Sequence, residues 1–323
     1  MNKLIPILIP MVISFLVSLI LGPVMIPWLK KLKFGQQILE DGPKWHEKKS
    51  GTPTMGGMIF IAGVLVATIV ALLVEFNLNL LMMALVALGF GAIGFIDDYV
   101  KVVKKQNQGL TAIQKFALQV VLALIYIFVM SYMGELNTEI YVPFFGVFWH
   151  MPWVLYIIFT LIVVTGTVNA VNLTDGLDGL ATSITIVVGI FFAVISNLFA
   201  SGETAIFASS VVGGLLAFLV FNHYPAKVFM GDTGSLYLGG AITVMAVGLK
   251  MPLILVIAGF VYLFEALSVI LQVASFKMTG KRIFKMSPIH HHFEMSGWSE
   301  KKIVFVFTLV TLVLCIVAYL SII

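Results

Sequence analysis

Charge is scarce in this sequence. Only 11% of its 323 residues are Asp, Glu, Lys or Arg, against about a quarter in a soluble domain. That excludes an ordinary cytosolic enzyme and a disordered chain. The same composition excludes a nucleic-acid binder, and the net charge of +4 points to the positive-inside rule more than to a nucleic-acid partner. Cysteine is almost missing: Cys315 stands alone, so neither an internal disulfide nor a cysteine metal site is possible. The phosphate-loop pattern GxxxxGKS/T does not occur, and there is no heptad, solenoid, inverted repeat or low-complexity tract. Apolar residues, by contrast, make up 60% of the chain. A bilayer crossing takes about 20 of them, so ten crossings would use about 200 residues and leave no room for a large soluble domain.

Ten apolar segments can be counted, near 4–29, 53–75, 80–98, 114–133, 152–173, 177–199, 204–221, 234–249, 252–275 and 303–322. They are apolar on every side. A backbone in hydrocarbon must satisfy its own polar groups, so helices are expected. The 4–29 stretch is too long for a signal-peptide core, with only Lys3 ahead of it, and is read as a retained first helix. The expectation is an all-α polytopic membrane protein, a single membrane-embedded domain over 1–323 whose five cytoplasmic loops form the active site. With the N-terminus outside, seventeen of the nineteen Lys and Arg fall in inner loops, leaving only Lys3 and Lys250 outside. The positive-inside rule then makes both termini extracytoplasmic. All six aspartates, and every histidine but His150, fall on the cytoplasmic side. The outer loop 134–151 alternates enough to form a small hairpin.

Five cytoplasmic stretches and one acid within a span carry the polar chemistry. Asp97 and Asp98, followed by Lys101, close the third segment. Adjacent carboxylates at a membrane edge suit an oxygen-liganded cation such as Mg2+, or form a solvated helix end paired with the lysine. Asn169, Asn172, Asp175 and Asp178 recur every three residues, as on one helix face. Gly176 and Gly179 permit close approach there, and a cap by Thr174 or Asp175 would explain only one of the polar groups. Asp232 lies among glycines before a helix, where backbone N–H groups favour anions. It can hold a metal there, or Asp232 or Thr233 can simply cap the helix. His290, His291 and His292 are consecutive and cannot all face one ligand on a helix, which disfavours zinc; bonds to a phosphate or base, or a solvated run, remain. Lys49 and Thr54 flank a Gly/Pro turn and are free to bind, unless the stretch is only a helix start. Glu265 lies inside a span, where both a functional and a structural role are open.

Together the stretches 49–57 (KSGTPTMGG), 94–101 (GFIDDYVK), 169–180 (NAVNLTDGLDGL), 226–235 (AKVFMGDTGS) and 287–294 (SPIHHHFE) resemble one family over nearly the whole chain. It is the phospho-N-acetylmuramoyl-pentapeptide transferases, a branch of the polyprenyl-phosphate N-acetylhexosamine 1-phosphate transferases. The DDxxK and asparagine–aspartate elements are shared by the wider group; PTMGG and HHHFE point to the muramoyl branch. The resemblance implies a multi-pass enzyme of the bacterial cytoplasmic membrane. Its reaction moves phospho-MurNAc-pentapeptide from UDP-MurNAc-pentapeptide to undecaprenyl phosphate, releasing UMP and requiring Mg2+. It implies catalytic roles for Asp97, Asp98, Asp232 and His291, with Asp232 as metal ligand and Asp98 as base, or as nucleophile in a two-step path. It implies substrate contacts for Lys49, Thr54, Lys101, Lys115, Asn169, Asn172, Asp175, Gly176, Leu177, Asp178, Asn222, Phe229, His290 and His292, with Phe229 stacking on uracil. A homodimer, and inhibition by nucleoside antibiotics at the uridine site, are implied too. Two phosphates brought to 4 Å repel by about 4 kcal/mol per charge pair at an effective dielectric of 20, which lysines and a metal offset. The competing readings are a sister transferase using UDP-GlcNAc, an ion-coupled transporter and a membrane scaffold. Acids gathered at one membrane edge disfavour transport, which places such groups near the midplane.

Overall fold

Long uninterrupted apolar runs set the architecture, since each can satisfy its backbone in lipid only as a helix. The computed structural model describes residues 5–31, 51–104, 106 and 108–323. Its elements are α1 (Ile5–Lys31), α2 (Gly57–Val74), α3 (Leu78–Val103), α4 (Ala112–Tyr132), β1 (Glu139–Val142), β2 (Val147–His150), α5 (Trp153–Thr174), α6 (Leu180–Leu198), α7 (Gly202–Asn222), α8 (Gly231–Gly248), α9 (Leu255–Ala258), α10 (Phe260–Thr279), α11 (Ile289–Glu294) and α12 (Glu300–Leu320). Among the described residues, nine helices are long and apolar enough to cross a membrane. The protein is an all-α multi-pass membrane protein.

The expected segment 234–249, absent from those nine, is α8, which stands apart by composition. Its sequence GDTGSLYLGGAITVMAVG is rich in Gly, Ser and Thr, and it is buried from Thr233 to Val247. It packs against α2, α3, α5, α6 and α7. Protein, not lipid, surrounds it, so small residues replace leucines and let neighbouring backbones come close. The expected single span 252–275 is instead broken. A 3-10 turn at Pro252–Ile254 and the short α9 precede α10, with Gly259 at φ −96° and ψ 13° between the two helices. The expected hairpin is present, with Glu139 opposite His150 and Val142 opposite Val147.

Among the described residues, the aspartates of α3 and α8, the α5–α6 turn and His290 gather at one end of the bundle. Met11 lies against Gly213 and Gly22 against Phe221, so α1 runs parallel to α7 and starts at the end away from Asn222. At that same far end the Phe144 N–H donates to Ser321 O (2.9 Å) and the Tyr141 N–H to Lys250 O (2.7 Å). Both ends of the described chain, and the hairpin, therefore lie opposite the aspartates.

The α3–α8 contact leaves no room for a side chain at Gly94: a Cβ there would sit 2.0 Å from the Asp232 carbonyl oxygen. Gly94→Ala is expected to destabilise the protein by about 2 kcal/mol, since two packed backbones must separate. Gly166→Ala, where the added carbon meets nothing within 4 Å, leaves stability unchanged. Thermal unfolding of the two variants in one detergent checks this; equal midpoints would contradict the packing argument.

Candidate active site

The last turns of α3 carry Asp97, Asp98 and Lys101. Both carboxylates are buried, at 2% and 3% exposure, and their partners come from elements far along the chain. Helix N-termini leave backbone N–H groups without partners. At α8, neither Asp232 nor Thr233 caps the helix. Asp98 does so from outside: its Oδ1 accepts from Asp232 N (3.2 Å), and its Oδ2 from Thr233 N (2.9 Å) and Thr233 Oγ1 (2.7 Å). Gly231, at φ +73°, turns the chain into this position; a Cβ there would meet Asp98 Oδ2 at 2.6 Å and the Thr54 hydroxyl at 2.7 Å.

Asp232 is then aimed at two cations. Its Oδ2 receives Lys101 Nζ (3.0 Å) and Lys115 Nζ (2.6 Å), and its Oδ1 accepts from Asn172 Nδ2 (2.8 Å). Asn172 Nδ2 also donates to Ser235 Oγ at 2.8 Å. Lys101 pairs with Asp97 Oδ2 (2.6 Å), and Asp97 Oδ1 accepts from Leu110 N (2.9 Å). Lys115 is placed by a capping box at the start of α4, formed by Thr111 and Gln114. Oxygens of Asp97, Asp98 and Asp232 lie within 4.8 Å of one another. The three carboxylates offer an all-oxygen donor set, which suits a hard divalent cation. The residues present fit Mg2+.

The α5–α6 turn, 175–179, faces this cluster. Half-buried Asp175 has its carboxyl pushed well above the usual range, first by removal from water, then by the charges of Asp232, Asp98 and Asp178. It does not cap α6, and Thr174 bonds back to Ala170 O (2.8 Å), so both expected caps are absent. Asp178 is buried and accepts from Ala226 N (2.9 Å), tying the turn to the α7–α8 loop. Phe229 is half-buried; its N–H donates to Pro53 O (2.8 Å) and its carbonyl accepts from Gly56 N (2.9 Å), joining that loop to the entry of α2.

The three histidines diverge. His290 is fully buried beside the equally buried Glu265, the span acid whose role the sequence leaves open. Glu265 Oε2 lies 3.0 Å from His290 Nδ1 and accepts from His290 N at 3.4 Å. His290 Nε2 faces Gly176, where a Cβ would sit 2.2 Å away. His291 Nδ1 meets Glu294 Oε2 at 2.6 Å, and His292 Nδ1 accepts from Lys285 N at 3.1 Å.

Asp97, Asp98, Asp232, Lys101, Lys115 and Asn172 thus form one bonded group, with Thr54 and Asp175 at its border. Other expected site residues have structural partners. Asn169 is clamped to Gln119 across α4 and α5 (2.7 Å). Asn222 accepts from Thr182 (2.7 Å) and donates to Val228 O (3.0 Å), which shapes the α7–α8 loop. Leu177 is buried in the core. Lys49 lies outside the described residues. Sequence reasoning missed Ser235, Leu110 and the Glu265–His290 pair; Ser235 lay inside a motif already singled out, whereas Leu110 carried no signal.

Two outcomes follow. The folded state binds a proton at Asp175 more tightly than the unfolded chain, so this residue's contribution to stability falls as pH rises above about 4. Asp175→Asn in metal-free protein is expected to raise the unfolding midpoint at neutral pH and flatten that decline, as a pH series of thermal melts would show. Gly176→Ala is expected to cost about 1–3 kcal/mol by displacing the pinned His290. In a His290→Ala background most of that cost disappears; additive effects in the double-mutant cycle would refute the contact.

Comparison with known proteins gives a consistent pattern. Residues 80–250 match glycosyl transferase family 4. The chain is 53% identical over 312 residues to the phospho-N-acetylmuramoyl-pentapeptide-transferase of Clostridium novyi, covering 96% of this chain and 95% of that protein. It is 50% identical over 302 residues to the Heliobacterium modesticaldum protein of the same name, covering 94% and 93%. For that of Acetivibrio thermocellus the identity is 50% over 313 residues, covering 96% and 93%.

Proposed function

Because the chain belongs to the phospho-N-acetylmuramoyl-pentapeptide-transferase family, within glycosyl transferase family 4, we propose that it transfers phospho-MurNAc-pentapeptide from UDP-MurNAc-pentapeptide to undecaprenyl phosphate. UMP leaves and the lipid-linked peptidoglycan precursor forms. The observation that carries this reading is the Asp97–Asp98–Asp232 cluster with Lys101 and Lys115 at the polar end of an apolar bundle. An anion on a hydrocarbon tail and a soluble diphosphate can meet there. The lysine bias puts that end in the cytoplasm and both termini outside. A homodimer, and nucleoside antibiotics that occupy the uridine site, belong to the same reading.

The roles follow from the bonds. Lys101 and Lys115 carry the ammonium groups that offset phosphate charge, and phosphoryl transfer depends mainly on positioning and charge stabilisation. Asp232, with Asp97 beside it, would hold Mg2+, which would supply further neutralisation of the diphosphate. A phosphate monoester has its second pKa near 6 and is mostly dianionic at neutral pH, so it needs little help to attack. Three donors already occupy the Asp98 oxygens. Its share as base is therefore small, attack by Asp98 as a nucleophile is disfavoured, and its main work is to hold Asp232 in place. Asn172 orients Asp232 from the opposite side. Asp175 to Asp178 and Phe229 form the nucleoside region, with Lys49 and Thr54 toward the phosphates. His291, the more exposed member of the His290–His291 pair, faces the substrate, while His290 supports the turn.

The test is UMP release by purified protein with UDP-MurNAc-pentapeptide, undecaprenyl phosphate and Mg2+, beside a metal-free sample and one with UDP-GlcNAc. Release with the muramoyl substrate alone, lost without metal, is expected. Asp232→Asn should lower turnover by about 100-fold or more, the scale seen when one preorganised electrostatic group is removed. Release only with UDP-GlcNAc would move the chain to the sister branch.

A further inference from the structure

The hairpin at the end of the bundle opposite the aspartates has one covered strand and one bare strand. Neighbouring residues of a strand point to opposite faces. In β1 both faces are covered, with Ile140 at 0% and Tyr141 at 5% exposure. All four residues of β2 are exposed. A strand covered on neither face lies at the rim of the bundle, not across its end. The turn and β2 carry Phe144, Phe145, Val147, Phe148 and Trp149, every one of them exposed. The hairpin is nonetheless held firmly. The Phe144 N–H donates to Ser321 O (2.9 Å) and the Tyr141 hydroxyl to Ile322 O (3.3 Å). The Tyr141 ring meets that of Phe148 edge-on, with centroids 5.4 Å apart. Charge is confined to the root and pairs there: Glu139 Oε2 receives Lys250 Nζ (2.7 Å) and Asn137 Nδ2 (2.9 Å), and Glu139 Oε1 lies 3.5 Å from His150 Nε2. The aromatic stretch itself carries no charge.

The level of this rim follows from the two helices that carry the hairpin. Lys115 in the first turn of α4 and Asn172 in the last turn of α5 both bond Asp232, so these ends share the level of the aspartate cluster. From there α4 runs for 21 residues and α5 for 22. At 1.5 Å per residue they span about 32 and 33 Å, against about 30 Å for a hydrocarbon core. Met151 and Pro152 alone separate β2 from α5, so β2 lies at the far boundary of the bilayer. The exposed apolar surface is continuous across that boundary, with Tyr132 closing α4 and Val154 and Leu155 opening α5. Aromatic rings are enriched at this depth, where the headgroups meet the acyl chains.

We propose that the bare face of the hairpin, from Phe144 to Trp149, rests in the headgroup and upper acyl region of the leaflet opposite the aspartate cluster, so that its partner is the phospholipid interface. Through Ser321 and Lys250 the same contact sets the depth of the far ends of α12 and α8.

The experiment places a spin label at Phe148→Cys in nanodiscs of phosphatidylcholine and phosphatidylglycerol. The native Cys315 is buried, and label on the parent protein gives the background. Relaxation by oxygen, which concentrates in lipid, is compared with relaxation by a water-soluble nickel chelate. The expected oxygen-to-chelate ratio is above one but below that of a label at Leu155→Cys, which lies deeper on α5. Phe145→Cys carries the same readout if Phe148→Cys does not fold. A ratio below one would put the strand in water, and a ratio at or above that of Leu155→Cys would put it in the hydrocarbon core. A label relaxed by neither reagent would put it beneath a second copy of the chain or another protein. Each of these three results would overturn the proposal.

Discussion

The site depends on one bond set: the Asp98 carboxylate against the first N–H groups of α8. A helix that starts at the membrane edge with no capping side chain of its own leaves donors exposed to a medium that cannot satisfy them. Asp98 closes those donors and so fixes where α8 begins relative to the end of α3. Asp232, the second residue of α8, then has one position, facing Lys101, Lys115 and Asn172. The tight approach at Gly94 is the packing counterpart of the same bond. Adjacent Asp97 and Asp98 divide the labour: one anchors a helix, and the other lines the cation pocket.

Elsewhere the bundle keeps polar groups silent. Thr165, Ser196, Ser210, Thr243 and Thr311 each donate to the carbonyl four residues back on their own helix. Such local bonds satisfy a hydroxyl without seeking a neighbour. The contrast is sharp at the polar end, where nearly every bond joins two elements. Side chains there are satisfied only by tertiary structure, so the site is assembled by the fold as a whole.

Much of this was legible in the chain. Runs of leucine, isoleucine and valine announced the spans, and the lysine distribution announced which end is polar. The aspartates were visible because an acid beside a membrane span has few benign explanations. α8 was less distinct by composition, because a helix surrounded by protein can replace leucines with glycine and serine. The break at Gly259 was hidden because its flanks are apolar on both sides. Nothing local reveals that Asn169 will bond Gln119 or that Asn222 will bond Thr182. Glu265 was ambiguous for the same reason: its partner His290 is 25 residues away. Spacing along one helix can be read from sequence; partners across helices cannot.

The distance of these partners along the chain has a consequence for biosynthesis. Asp98 must wait 135 residues for Thr233, and α1 packs against α7 as well as α2. Chains are made from the N-terminus, so Asp97 and Asp98 emerge with four long helices, α4 to α7, still to be synthesised before α8 supplies the partners of Asp98. Throughout that interval their carboxylates have only water and nearby lysines for company. Their place at the very end of α3, where both remain within reach of the aqueous boundary, lets the half-made protein sit in the membrane without burying an unpaired charge.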